Sequence, residues 1–276
     1  MLQVTAADVK TDPFPHVVTP QILPAELYAR LRAEYPTGAT FETSTGTTLG
    51  QGSRTGVGTG FDIYRGDTAY ADLVARSPAW AELDGFVNSQ AFVDQFVAVF
   101  GAHLEAAGCT ANVAASHMHP DYFEPRSALT DKMTMADRFA DVGHKLFGNK
   151  HNREIDLYSR LDIQKAIGGY KKPPHCDRPN RLCSLIIYFT DAVAEGIEGG
   201  NLRVDKHHDD KPVQKYERHP AESNVDIVAE LTSAENLGVW FPCSNNSYHG
   251  VTPVTTKGAQ RDFLFINLSG RVANLW

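Results

Sequence analysis

The stretch PPHCDRPNRLCSLIIYFT, residues 173–190, decides how this chain is read. From Leu182 to Thr190 it is an apolar run behind proline and asparagine, the pattern of a buried strand. Just ahead of that strand stand His175 and Asp177. Residues i and i+2 of an extended segment point to one side, so an imidazole and a carboxylate placed there can reach one ion. One more imidazole would complete a 2-His-1-carboxylate set, which holds Fe(II) on one face and leaves its remaining positions open. His249, in NSYHGVTPV, is the candidate: it follows LGVWFP and precedes another apolar run, as a ligand at a barrel mouth should.

Outward from this stretch the period is two. Ile155, Leu157, Leu161 and Ile163 alternate with Asp156, Tyr158, Arg160, Asp162 and Gln164. Further strands are expected over 182–190, 201–204, 225–231, 237–241 and 261–269, separated by glycine, proline and asparagine turns. Short strands in succession without helices between them imply an antiparallel sandwich or barrel. The first 150 residues read as mainly helical, with helices predicted over Pro24–Tyr35, Ser89–Leu104 and near Asp131–Leu146. Thr43–Gly66 has seven glycines and reads as an irregular loop or a lid. It lacks G-K-[ST] and the third glycine of G-x-G-x-x-G, so it is no phosphate loop. The expectation is an α+β, mainly β chain forming one domain over 1–276, with a helical part over 1–150 and a barrel over 151–276.

Composition excludes several classes. Of 276 residues, 42% are hydrophobic and 21% charged, as in a globular protein and unlike a disordered one. Twenty-six basic residues against 33 acidic give a net charge of −7, and no basic run is present, so neither nucleic acid nor an anionic membrane is the expected partner. Cys109, Cys176, Cys183 and Cys243 form no C-x-x-C pair, which fits reduced thiols. The opening MLQVTAADVKTDPFPHVV has no signal-peptide pattern, and no apolar run nears the roughly 18 residues that span a bilayer. A cytoplasmic monomer or homodimer is expected.

His-x-Asp also occurs at His119/Asp121, His207/Asp209 and His208/Asp210. DKHHDDKP reads as a solvated loop. In SHMHPDYFEP two prolines break any strand, and no distant third ligand suggests itself. Tyr158, Arg160, Asp162 and Gln164 share a face ahead of the metal pair, followed by Tyr170, Lys172 and Arg178. Such residues ordinarily form the solvated side of a strand; Arg160, Gln164, Tyr170 and Arg178 are the substrate-contact candidates. A charged mouth would suit an amino acid or peptide.

HCD at 175–177, EGGNLRV at 198–204, SYHGVTPV at 247–254 and QRDFLFINLS at 260–269 together resemble the iron(II)/2-oxoglutarate-dependent oxygenases, most closely the prolyl-hydroxylase-like group. The resemblance covers roughly residues 155–270, and the opening DPFPHVVTPQILPAELYARLRAEYP is similar to the N-terminal strand and helix of bacterial members. It implies a double-stranded β-helix, the jelly-roll or cupin-like barrel, with helices packed on one side. It implies Fe(II) held by His175, Asp177 and His249. Arg261 would take the distal carboxylate of the 2-oxoglutarate cosubstrate, with Tyr188 assisting and Leu202 as pocket wall. Arginine suits that task because its planar fork pairs a carboxylate through two parallel hydrogen bonds. The implied activity is a dioxygenase that consumes O2, with ascorbate as a stimulant, hydroxylates an unactivated C–H bond of a small polar molecule and releases succinate and CO2. Asp177 favours hydroxylation over halogenation, since halogenating relatives replace that carboxylate with a small residue. The alternatives are a peptidyl or protein side-chain hydroxylase and a catalytically silent metal- or ligand-binding barrel. Histidine ligates only when neutral, so activity is expected to fall below about pH 6.

Overall fold

A computed structural model describes residues 1–46, 48–49, 60–122, 153–209 and 217–276. The first half contributes β1 (Val17–Thr19), α1 (Ala25–Ala33), α2 (Gly38–Thr45), β2 (Gly60–Tyr64), α3 (Thr68–Arg76), α4 (Pro78–Val87), α5 (Gln90–Leu104) and β3 (His117–Met118). The second half is β4 (Asp156–Ile167), β5 (Lys172–His175), β6 (Arg181–Tyr188), β7 (Leu202–His207), β8 (Val225–Leu231), β9 (Gly238–Pro242), β10 (His249–Val251) and β11 (Gln260–Gly270).

Strands β4 to β11 wind between two sheets. One sheet has the order β1-β9-β6-β11-β4-β2, with β3 beside β4; the other has the order β5-β10-β7-β8. Apart from the β7–β8 hairpin, each successive strand crosses to the opposite sheet, which makes the barrel a double-stranded β-helix. The first half is therefore not helical alone: β1 and β2 close the two edges of the larger sheet.

Alternation along the strands sorts side chains into two cores. Leu264, Ile266 and Leu268 of β11 and Trp240 of β9 point outward into the core shared with the helices. There the α5 stripe meets Trp240, with Phe92 stacked on it at 5.9 Å and Phe100 edge-on at 5.3 Å. Phe263 and Phe265 of β11, Ile186 and Tyr188 of β6, and Phe241 of β9 point into the barrel.

The glycine-rich stretch differs from an irregular loop at both ends. Helix α2 runs to Thr45 and stops at Gly46, whose φ of 66° is the left-handed cap that glycine favours, and β2 begins at Gly60. Residues 50–59, and the helix predicted near 131–146, lie outside the described residues. Helix α4 starts with Pro78 behind Ser77, whose hydroxyl accepts the Trp80 amide at 3.2 Å, a start signal that short helices carry even where no long stripe announces them. Pro120 does not abolish the strand at His117 but limits it to two residues. No described helix is long and apolar enough to cross a membrane.

Candidate metal centre

Strand β5 carries Pro173 and Pro174, which an edge strand tolerates because proline has no ladder donor to offer. Its partner β10 is registered so that His249 lies opposite His175, and the two rings are 4.4 Å apart. Asp177 follows two residues on. Ligand-capable atoms of His175, Asp177 and His249 all lie within 4.8 Å of one another, the one such group of three found among the described residues. All three side chains are buried.

Backbone carbonyls aim both rings. His175 Nδ1 sits 2.9 Å from the Pro173 oxygen and His249 Nδ1 sits 3.0 Å from the Ser247 oxygen. A carbonyl only accepts, so each Nδ1 carries the proton and each Nε2 presents a lone pair. His175 Nε2 is buried with no hydrogen-bond partner. His249 Nε2 is 3.8 Å from Asp177 Oδ2. Burial lowers the pKa of both imidazoles, that of His175 well below the ordinary value with His249 and Lys172 adding to the effect. The neutral form thus persists below the pH of about 6 that an ordinary imidazole would set.

Asp177 is ionised for a different reason. Burial alone would raise its pKa, but Arg181, helped by His249, His175 and Lys172, holds it well below the carboxylate range. Arg181 Nη1 donates to Oδ1 at 2.7 Å, and Ser184 Oγ donates to Oδ2 at 2.6 Å. Ser184 Oγ also lies 3.0 Å from the Asn267 amide, whose Nδ2 has no partner as placed. One hydroxyl proton cannot serve both acceptors, so the Asn267 amide faces Ser184 with its NH2. Neutral imidazoles and an anionic carboxylate around an orphaned Nε2 fit a divalent cation.

These residues line a cavity of about 340 Å³ that Arg261 lines as well. Arg261 is 2% exposed, its Nε has no partner, and no carboxylate pairs with it among the described residues. A buried guanidinium without a counter-charge fits an anionic ligand. Its carbon is 5.7 Å from the Tyr188 ring centre; burial raises the Tyr188 phenol and Arg261 opposes that rise. Gly200 makes room for it: a Cβ there would meet Arg261 Nη1 at 2.5 Å, and φ is +71°. Leu202, two residues on, lines the cavity.

Arg160, Gln164, Tyr170 and Arg178 all line the same cavity. Arg160 is held by Asp162 at 2.7 Å and Asp62 at 3.5 Å. Burial pushes the Tyr170 phenol up to about 12, with Arg261 opposing the rise and Tyr188 adding to it. Tyr158 is not among the lining residues; its hydroxyl accepts from Asn180 at 3.2 Å. Sequence reading passed over Arg181, whose tie to Asp177 spans the turn between β5 and β6, where no periodicity marks it. It also passed over His219, which lines the cavity and lies nearly parallel to His175 at 6.3 Å, and no local pattern marks that residue.

The other histidine pairs have local partners. His119 bonds Asp156 at 3.0 Å in an exposed position, and His208 bonds Asp226 at 3.0 Å. His207 belongs to the end of β7 rather than to a loop, with Glu217 at 3.3 Å. Burial raises the thiols of Cys176, Cys183 and Cys243, which removes them as thiolate nucleophiles.

The family model described as the 2OG-Fe(II) oxygenase superfamily matches residues 162–268, a span that holds all three clustered residues and Arg261. No curated protein matches the sequence. Similar solved structures include a Pseudomonas putida prolyl-4-hydroxylase, 14% identical, covering 92% of this chain and 91% of that one at a TM-score of 0.44. A Trichoplax adhaerens prolyl hydroxylase in complex with a hypoxia inducible factor peptide fragment is 9% identical over 92% and 83%, at 0.42. AviO1 from Streptomyces viridochromogenes is 14% identical over 92% and 89%, at 0.41.

Proposed function

We propose that this chain, whose residues 162–268 match the 2OG-Fe(II) oxygenase superfamily model, hydroxylates an unactivated C–H bond of a small polar molecule, an amino acid, peptide or natural-product intermediate. One observation carries the reading: three buried donor atoms converge, with His175 Nε2 unsatisfied, in a cavity that also holds the unpaired Arg261. Fe(II) with 2-oxoglutarate and O2 supplies oxidative decarboxylation to succinate and CO2 coupled to hydroxylation.

The residues divide that work. His175, Asp177 and His249 would hold the ion. Arg181 occupies Asp177 Oδ1, so the carboxylate would serve through Oδ2 alone, leaving positions open for the cosubstrate and oxygen. Ser184 fixes the orientation of that oxygen. Arg261 would pair the distal carboxylate of 2-oxoglutarate, with Tyr188 beside it, while Leu202, Ile186 and Phe263 keep water from the chain between the two ends. Arg160, Gln164 and Arg178 would orient the substrate.

The test is anaerobic titration of metal-free protein with Fe(II) and then 2-oxoglutarate, followed by the visible charge-transfer band. Wild type and His119→Ala should show it, His175→Ala should lack it, and Arg261→Ala should need at least about tenfold more 2-oxoglutarate. No band in wild type would return the barrel to a silent binding scaffold.

A further inference from the structure

Arg261 is not the only cation in the cavity without a counter-charge. Lys172, on β5 three residues before His175, has no hydrogen-bond or ion-pair partner among the described residues. Its ammonium lies 5.5 Å from the centre of the Phe265 ring. The carboxylates that act on it are Asp177 and Asp162. Each is already engaged, Asp177 by Arg181 at 2.7 Å and Asp162 by Arg160 at 2.7 Å. Burial lowers the Lys172 pKa despite both acids, the mark of a cation whose desolvation the fold leaves uncompensated.

Of the cations lining the cavity, Arg160 and Arg181 are matched by Asp62, Asp162 and Asp177, whereas Lys172 and Arg261 have no carboxylate partner among the described residues. Loading would give Arg261 the distal carboxylate of 2-oxoglutarate and leave Lys172 without one. Nor do the two unmatched cations share a place. Phe265, beneath Lys172, is four positions along β11 from Arg261, on the order of 13 Å of strand. Gathering like charges in a partly desolvated cleft costs free energy that a bound anion offsets and a neutral ligand does not.

We infer that the substrate of this site carries an oxyanion, a carboxylate or a phosphate, that docks against Lys172. The inference rests on the oxygenase reading and specifies its substrate class. Protein loaded anaerobically with Fe(II) and 2-oxoglutarate is titrated by calorimetry with inorganic phosphate and, separately, with acetate. At least one of the two should bind with a Kd below about 1 mM, and whichever binds tighter names the oxyanion. Lys172→Met should weaken that binding tenfold or more and keep the charge-transfer band, Lys172→Arg should restore it, and Lys171→Met, on the exposed neighbour, should leave it unchanged. No anion binding, or equal binding to wild type and Lys172→Met while both keep the band, overturns the inference alone. Absence of the band in wild type overturns the oxygenase reading and this inference with it.

Discussion

The two faces of strand β11 live in different chemistry. Leu264, Ile266 and Leu268 face the helices and pack in the apolar and aromatic core shared with them. Arg261, Phe263, Phe265 and Asn267 face the barrel, where a buried guanidinium has no carboxylate partner among the described residues and an amide is tied through Ser184 to the Asp177 carboxylate. One strand thus separates a face optimised for burial from a face that carries unmet polar demand. The difference teaches where to look for function: not where the residues are polar, but where buried polar groups are left for a ligand to satisfy.

The largest effect expected from breaking this comparison lies on the apolar side. Phe96 of α5 is fully buried and packs 5.8 Å from Trp240 on the outer face of the sheet. Phe96→Ala should cost about 3–5 kcal/mol, read as a lowered midpoint in urea unfolding. The folded fraction should keep its affinity for Fe(II) unchanged. A loss of metal binding at constant foldedness would mean that the two faces are coupled through the sheet.

Period two explains how much of this was legible beforehand. The strands that became β4, β6, β9 and β11 declare themselves because they bury apolar side chains against the two cores, and the same alternation put Arg261, Phe263 and Phe265 on one side, whereas β8 was legible from its β-branched residues although only Val225 of it is buried. The histidine and aspartate of 175–177 stood out because a strand followed them. What stayed hidden has physical causes. β5 and β10 span four and three residues, too short for a period, and β5 carries two prolines. Helices α2 to α4 are short and gain their stability by packing rather than by a long stripe. His219 reaches the cavity through tertiary folding, and Arg160 and Gln164 looked like a solvated face because nothing in sequence shows that both sides of β4 are covered.

A smaller effect should separate adjacent residues of β6. Ser184 points inward to Asp177 and Leu185 points outward to the helix core. Ser184→Ala should weaken Fe(II) affinity by about 10–100-fold, since it removes the hydrogen bond that orients Oδ2. Leu185→Ala should leave that affinity alone and cost about 2–5 kcal/mol in unfolding. Swapped outcomes would invert the assignment of the two faces.

The smallest effect is a pH dependence confined to the polar side. Burial lowers the pKa of His16, His175 and His249 below the ordinary 6.5. At these three sites the unfolded chain therefore binds more protons than the folded one as pH falls below about 6.5, and the buried Asp205 carboxyl, raised to about 6, opposes part of that change. The contribution of the three histidines is complete above that value and is lost progressively as pH falls through the depressed folded values. Metal-free protein should show a nearly constant Tm from pH 7 to 8 and a falling Tm from about 6.5 to 5. Fe(II) competes with protons for Nε2, so anaerobic loading should move the fall to lower pH. His249→Ala should flatten it by deleting one proton uptake. Phe96→Ala, on a face whose buried thiols and phenols stay protonated throughout this range, should lower the whole curve and leave its slope against pH unchanged, because the proton inventory of the folded state is the same with or without that ring.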